Sequence, residues 1–240
     1  MGLAPEQVDA FRRTGFLALS DFTTPSDVDF IREILLGLYR RFTRLSPRHA
    51  VDLGDEGWHD GAPQIPEINW TMRLEPALRA AVALERGRAI ASELLGRPVE
   101  ATGFDHAILK PPRNGRDTPW HQDEAYAENR GPFGSVHVWI PLQDVSLEMG
   151  CMEFIPGSHI GPVLPHHRRG HRPAAHVLEA DGIDASTAVA CPLRAGGATL
   201  HLPRTLHRTG PNHTDRPRLA WIVEFGQPPR ARWRRWLHPR

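Results

Sequence analysis

The spacing of hydrophobic and polar positions changes period midway along the chain. In PEQVDAFRRTG the apolar Val8 and Phe11 recur at helical spacing, and Gly15 supplies a stop. In TTPSDVDFIREILLGLYRRF, residues Val28, Ile31, Leu35, Leu38 and Phe42 draw one apolar stripe; Thr23 or Thr24 is placed to cap and Pro25 suits a first turn. From 46 to 66 the chain is rich in Pro, Gly, Asp and His without a period, which predicts a loop. Glu75 to Gly96, with strong helix formers and a terminal glycine, predicts a long helix.

Beyond residue 98 the pattern shortens. VEATGFDHAILKPP, SVHVWIPLQDV, GCMEFIPGS, STAVACPL, GATLHLP and RLAWIVEFG are rich in β-branched and aromatic residues and separated by Gly and Pro turns. Helices first and strands afterwards predict a mainly helical support over 1–98 packed on an all-β sandwich or barrel over 99–229, with a short tail over 230–240. The stretch from 161 to 185 is long and without period, so it is read as a lid. No internal repeat is present.

Composition narrows the class. A 240-residue chain with 40% hydrophobic and 24% charged residues suits one ordinary domain and excludes wholesale disorder. No apolar run approaches the ~18 residues of a membrane helix, and MGLAPEQVDAF lacks the basic patch and apolar stretch of a leader, so a cytoplasmic protein is expected. Cys151 and Cys191 are too few for a disulfide framework and read as small buried hydrophobes. A net charge of +1 gives no drive toward nucleic acid or anionic lipid. The local exception is RARWRRWLHPR, with five arginines and no acid. It can grip a phosphate backbone, but Trp233 and Trp236 packed on the body, with the arginines solvated around them, explain it more simply.

Histidine, with 14 copies, is the over-used functional type. TPWHQDEAY places His121 and Asp123 two apart in an expected strand, where alternate residues share a face about 6.5–7 Å apart and can converge on one ion. A lone H-x-D is weak. A second segment, GGATLHLPRTLHRTGPNHTDRPRLAWIVEF, adds His207 and, eleven residues on, Arg218. Two imidazoles and a carboxylate on one face of an ion leave the opposite positions open, the facial arrangement of non-haem Fe(II) oxygenases.

Over most of its length the chain resembles the phytanoyl-CoA dioxygenase family of Fe(II)- and 2-oxoglutarate-dependent oxygenases. The likeness runs through LAPEQVDAFRRTGFLAL, WHQDEAY, VHVWIPLQDVSLEMGCMEFIPGSH and HRTGPNHTDRPR. It implies a double-stranded β-helix, or jelly-roll, flanked by helices. It also implies iron held by His121, Asp123 and His207, and 2-oxoglutarate with its distal carboxylate on Arg218, whose planar fork suits a carboxylate. Thr209 falls where the family has a small hydroxyl residue near that carboxylate, Trp139 matches a tryptophan beside the co-substrate, and His106 falls near another co-substrate position. An early lysine used by some members has no match; Lys110, the one lysine, does not align with it.

Other histidines have plainer readings. His201 is a packed strand residue, while His137 shares a face with Trp139 and either lines the site or fills the core. His159 shapes a turn, and His166, His167 and His171 lie among arginines that repel a cation. Glu124 and Asp144 have no partner in the sequence that argues for acid–base work. The resemblance implies hydroxylation of a small molecule coupled to decarboxylation of 2-oxoglutarate by dioxygen. Epimerisation, desaturation or ring closure at the same site is the alternative, and a non-catalytic jelly-roll binding protein a further one. Asp123 argues against a halogenase, which needs room for chloride there. Substrate lining is expected from the 46–66 loop, with Trp58 and His59, and from the lid; no oligomeric state is implied.

Overall fold

The structure, a computed structural model, describes residues 2–54, 63–126, 134–169 and 177–227. The helices among them are α1 (Pro5–Thr14), α2 (Pro25–Tyr39), α3 (Thr71–Leu74) and α4 (Val82–Leu95). The strands begin with β1 (Phe16–Leu19), β2 (Ala50–Asp52), β3 (Pro66–Asn69), β4 (Glu100–Lys110), β5 (Thr118–His121) and β6 (Ser135–Pro141). They continue with β7 (Met152–Phe154), β8 (His166–Arg168), β9 (Leu178–Ala180), β10 (Val189–Cys191), β11 (Ala198–His201), β12 (His207–Thr209) and β13 (Arg218–Gly226).

Two antiparallel sheets face each other. The larger has the order β1-β11-β6-β13-β4-β3-β2 and the smaller β10-β7-β12-β5. Strand β13 shows why both faces of the larger sheet are covered: all nine of its residues are buried. Leu219, Trp221, Val223 and Phe225 pack outward with Phe11, Ile31, Leu35, Ile90 and Leu94 of the helices. Ala220 and Ile222 turn inward to join Trp139, Met149, Cys151, Met152 and Phe154 between the sheets. The period of two along the strand thus divides the helix-packed core from the lining of the jelly-roll.

Several sequence expectations are corrected. The helix expected from Glu75 is broken: a 3-10 turn covers Pro76–Ala80, Ala81 is extended, and α4 starts at Val82. The cause is a cap from another helix, since the Asp27 carboxylate of α2 accepts from the backbone N–H groups of Val82 and Ala83, each at 2.9 Å. The 46–66 stretch is not wholly loop, for β2 lies in it and pairs with β3. The lid region is not structureless; β8 and β9 form a hairpin across it. Residues 1–98 also supply β1, β2 and β3 to the larger sheet, beyond a helical support.

The end of α1 is stitched to the interior. Gly15 has φ +86°, a left-handed conformation that suits glycine. Its carbonyl accepts from Leu202 N–H at 3.0 Å and Thr205 Oγ1 at 2.8 Å, just before His207. No described helix is long and apolar enough to cross a membrane. Trp58, His59, His171 and the basic tail lie outside the described residues.

Candidate metal centre and co-substrate pocket

The register of the smaller sheet sets His207 of β12 directly opposite His121 of β5, with ring centroids 4.2 Å apart. Asp123 comes to them differently from the sequence expectation. The strand ends at His121, and Asp123 opens a 3-10 turn, Asp123–Tyr126, so a turn and not strand alternation brings the carboxylate round. One oxygen, Oδ1, lies 3.5 Å from His121 Nε2, and the other, Oδ2, lies 3.5 Å from His207 Nε2. One ligand atom from each of the three residues falls within 4.8 Å of the others.

The turn is clamped to the loop that leads into β12 and His207. Gln122 is fully buried, and its amide donates to the Arg204 carbonyl at 2.7 Å while its Oε1 accepts from Leu164 N–H at 2.8 Å. Glu124 takes the Arg204 guanidinium on both oxygens, at 2.6 and 2.8 Å. Glu124 therefore has a structural partner that the sequence did not indicate.

Both imidazoles are set in the orientation a metal needs. His121 Nδ1 bonds the Pro119 carbonyl at 2.7 Å and His207 Nδ1 the Thr205 carbonyl at 2.8 Å, which puts the proton on Nδ1 and leaves each Nε2 lone pair free. Burial, with His121 nearby, holds His207 well below the usual histidine range. Burial alone would raise the Asp123 carboxyl, but the surrounding histidines hold it well below its usual value. Neutral imidazole and ionised carboxylate are the protonation states of a ligand set.

Asp123, His137 and His201 form a second group of comparable spacing. Its chemistry is poorer. Despite burial, Asp123 pushes His137 up to about 10, so its Nδ1 carries a proton and has no lone pair to give. His201 Nδ1 is buried without a hydrogen-bond partner, whereas a ligating histidine ordinarily has its second nitrogen held. The donor set of His121, Asp123 and His207 fits a divalent transition metal; this second group does not.

Along the inner face lie two buried basic side chains. Arg218 is 1% exposed, and all three of its guanidinium nitrogens are buried without a hydrogen-bond partner. The guanidinium lies 5.6 Å from the Trp139 ring centre, and burial lowers its pKa to about 10. The Thr209 hydroxyl is likewise buried and without a partner. Lys110 is Arg218's cross-strand partner, and its ammonium donates to the carbonyls of Thr209 and Gly210 at 2.9 and 2.6 Å. A buried cation with unused donors fits a carboxylate in both charge and hydrogen bonding.

Trp139 is thus brought to Arg218 and Thr209 to Arg218's neighbour Lys110, while His106 sits further along β4, its Nδ1 2.5 Å from Glu67 Oε1. Its ring is tilted against Phe104, which meets Trp70 edge-on. Sequence reasoning left His137 between lining the site and filling the core, read His201 as a packed strand residue, found no place for Lys110 and missed the Glu124–Arg204 pair. The His137–Trp139 alternation was the one usable signal, because the other contacts depend on register between distant strands.

The sequence pattern of the phytanoyl-CoA dioxygenase (PhyH) family matches residues 11–220. The bovine (Bos taurus) phytanoyl-CoA dioxygenase domain-containing protein 1 is 32% identical over 174 residues, 69% of this chain and 59% of that protein. The mouse (Mus musculus) protein of that name is 34% identical over 139 residues, 55% of this chain and 47% of the mouse protein. The chain thus spans about half to three-fifths of the length of these curated relatives. EvdO2 from Micromonospora carbonacea var. aurantiaca, solved with 2-oxoglutarate, is 35% identical, with a TM-score of 0.77 over 94% of this chain and 91% of its own. With 210 of its 240 residues matched to one family and the helix-flanked jelly-roll shared, the chain belongs to the phytanoyl-CoA dioxygenase family.

Proposed function

We propose that the chain is a single Fe(II)- and 2-oxoglutarate-dependent dioxygenase domain that hydroxylates an unactivated C–H bond of a small molecule while 2-oxoglutarate is decarboxylated to succinate. The observation that carries this reading is the pairing of the His121, Asp123 and His207 cluster with Arg218, a buried guanidinium whose donors are all unused. An iron held by that cluster would supply dioxygen activation.

The protein's own work is binding and orientation. His121 and His207 present Nε2 because backbone carbonyls hold the opposite nitrogens. Arg218 and the Thr209 hydroxyl take the distal carboxylate of 2-oxoglutarate, and the Trp139 ring forms a flat wall beside it. Met149, Cys151, Met152, Ala220 and Ile222 line this end with apolar surface that excludes water. His106, on β4 opposite Ile222 of β13, lines the approach.

EvdO2's capture with 2-oxoglutarate supports the same co-substrate here. The test is succinate release from 2-oxoglutarate by the purified protein with Fe(II) and ascorbate under air. Succinate is expected, and Asp123→Ala should abolish it. A protein that neither binds nor consumes 2-oxoglutarate would overturn the reading. Succinate accompanies every outcome of hydrogen abstraction, so analysis of the organic product separates hydroxylation from epimerisation, desaturation or ring closure.

A further inference from the structure

The carboxylate of Asp123 is gripped from one side. Oδ2 lies 2.7 Å from His137 Nδ1 and 3.2 Å from His201 Nε2, and these two contacts use its lone pairs. Each oxygen also has one proposed ligand nitrogen at 3.5 Å, beyond good hydrogen-bond length, His207 Nε2 for Oδ2 and His121 Nε2 for Oδ1, but Oδ1 has no closer contact among the described residues. The two oxygens are therefore unequal before any metal arrives.

The larger sheet builds this grip. Glu224 of β13 is opposite His137 of β6, and His137 is opposite His201 of β11, so the three form one transverse row. Strands about 4.8 Å apart put such side chains shoulder to shoulder. All three share the inner face with Arg218, Ala220 and Trp139 by the alternation already described. His137 Nε2 lies 3.8 Å from Glu224 Oε1, and the other Glu224 oxygen accepts from Thr102 Oγ1 at 2.7 Å. The row thus runs from a hydroxyl on β4 to the carboxylate of the smaller sheet's turn.

We infer that His137 and His201 are positioning residues that tie down Asp123 Oδ2, so that Asp123 offers Oδ1 alone to the metal. This inference rests on the proposed metal site and assigns the two histidines a role in it. Holding the carboxylate to one oxygen keeps an additional position of the metal clear. Neither residue is a ligand; each acts through Asp123.

The experiment uses Co(II) as a spectroscopic probe of the whole 240-residue chain. His137→Leu and His201→Leu should each weaken Co(II) binding about 10- to 100-fold, as removal of partners behind metal ligands typically does, and should change the visible Co(II) spectrum. His137→Asn and His201→Gln restore an N–H near the lost donor and should recover most of the affinity and the spectrum. Folded leucine variants with wild-type affinity and spectrum would overturn the inference, as would asparagine and glutamine variants no better than leucine.

Should the leucine variants fail to fold, the wild-type protein decides by infrared difference spectra on Zn(II) binding. One-oxygen coordination of a carboxylate is expected, and two-oxygen coordination overturns the inference. Failure of wild-type protein to bind Co(II) would instead sink the metal-site reading itself.

Discussion

Arg218 and Lys110 are two cations side by side in the interior, both essentially unexposed. Burial, and then Arg218 beside it, holds the Lys110 ammonium well below its usual range. Such an arrangement is expensive until an anion enters. Addition of 2-oxoglutarate should therefore raise the melting temperature of the wild-type protein, by about 2.7 kcal/mol of stability at a hundredfold excess over Kd. Arg218→Ala should weaken 2-oxoglutarate binding by about 3 kcal/mol, roughly 100-fold, with little effect on Co(II) affinity. Titration calorimetry with each ligand checks both expectations; equal losses for the two would contradict the assignment of Arg218. At this scale the sequence was informative where a residue type and its offset carry the chemistry, as with Arg218 eleven residues after His207. It was silent on Lys110, whose neighbour 108 positions away is set by the pairing of β4 with β13.

Between elements, the decisive contacts are clamps. The Glu124–Arg204 pair joins the turn after β5 to the loop before β12, and Glu124 is 9% exposed. Glu124→Ala should cost about 2 kcal/mol and weaken metal binding, because it frees the turn that aims Asp123. The exchanged pair, Glu124→Arg with Arg204→Glu, should recover part of both losses in a double-mutant cycle. The hairpin of β8 and β9 has its own clamp, for His166 Nε2 accepts from Gln122 N–H at 3.1 Å. Burial holds His166 below the ordinary histidine value, so the folded protein prefers it neutral. The docking contribution is then complete above the unfolded value near 6.5 and lost as pH falls through the lowered folded value. Hydrogen exchange, corrected for its intrinsic pH dependence, should show the hairpin opening more readily at mildly acidic pH; a pH-independent opening would contradict this. Periodicity found α1, α2 and most long strands, but not the break at Ala81, since the capping carboxylate lies 55 positions away on α2.

For the molecule as a whole, the helical layer packs on the outer face of the larger sheet. Helix α4 reaches β13 at Gly87, where an added Cβ would stand 2.6 Å from the Phe225 ring. Gly87→Ala should gain helix propensity yet lose stability, by about 1–3 kcal/mol net, because the helix must lift off the sheet. A denaturant melt checks the sign. The jelly-roll was legible as a resemblance, as was the convergence of His121, Asp123 and His207, since order and spacing survive in the sequence. The mixing of the first 98 residues into the sheet was not, because β1 is four residues long and pairs with β11, about 180 positions later.

That early strand has a practical meaning for anyone trimming the protein. The backbone at Gly15 holds the loop leading to His207, and Phe16 stacks on Phe154 at 4.5 Å, across from the same histidine. Expression from residue 20 onward would keep every proposed ligand while removing the beam on which one of them rests. Such a shortened version should lose its grip on Co(II), although nothing that touches the ion has been deleted.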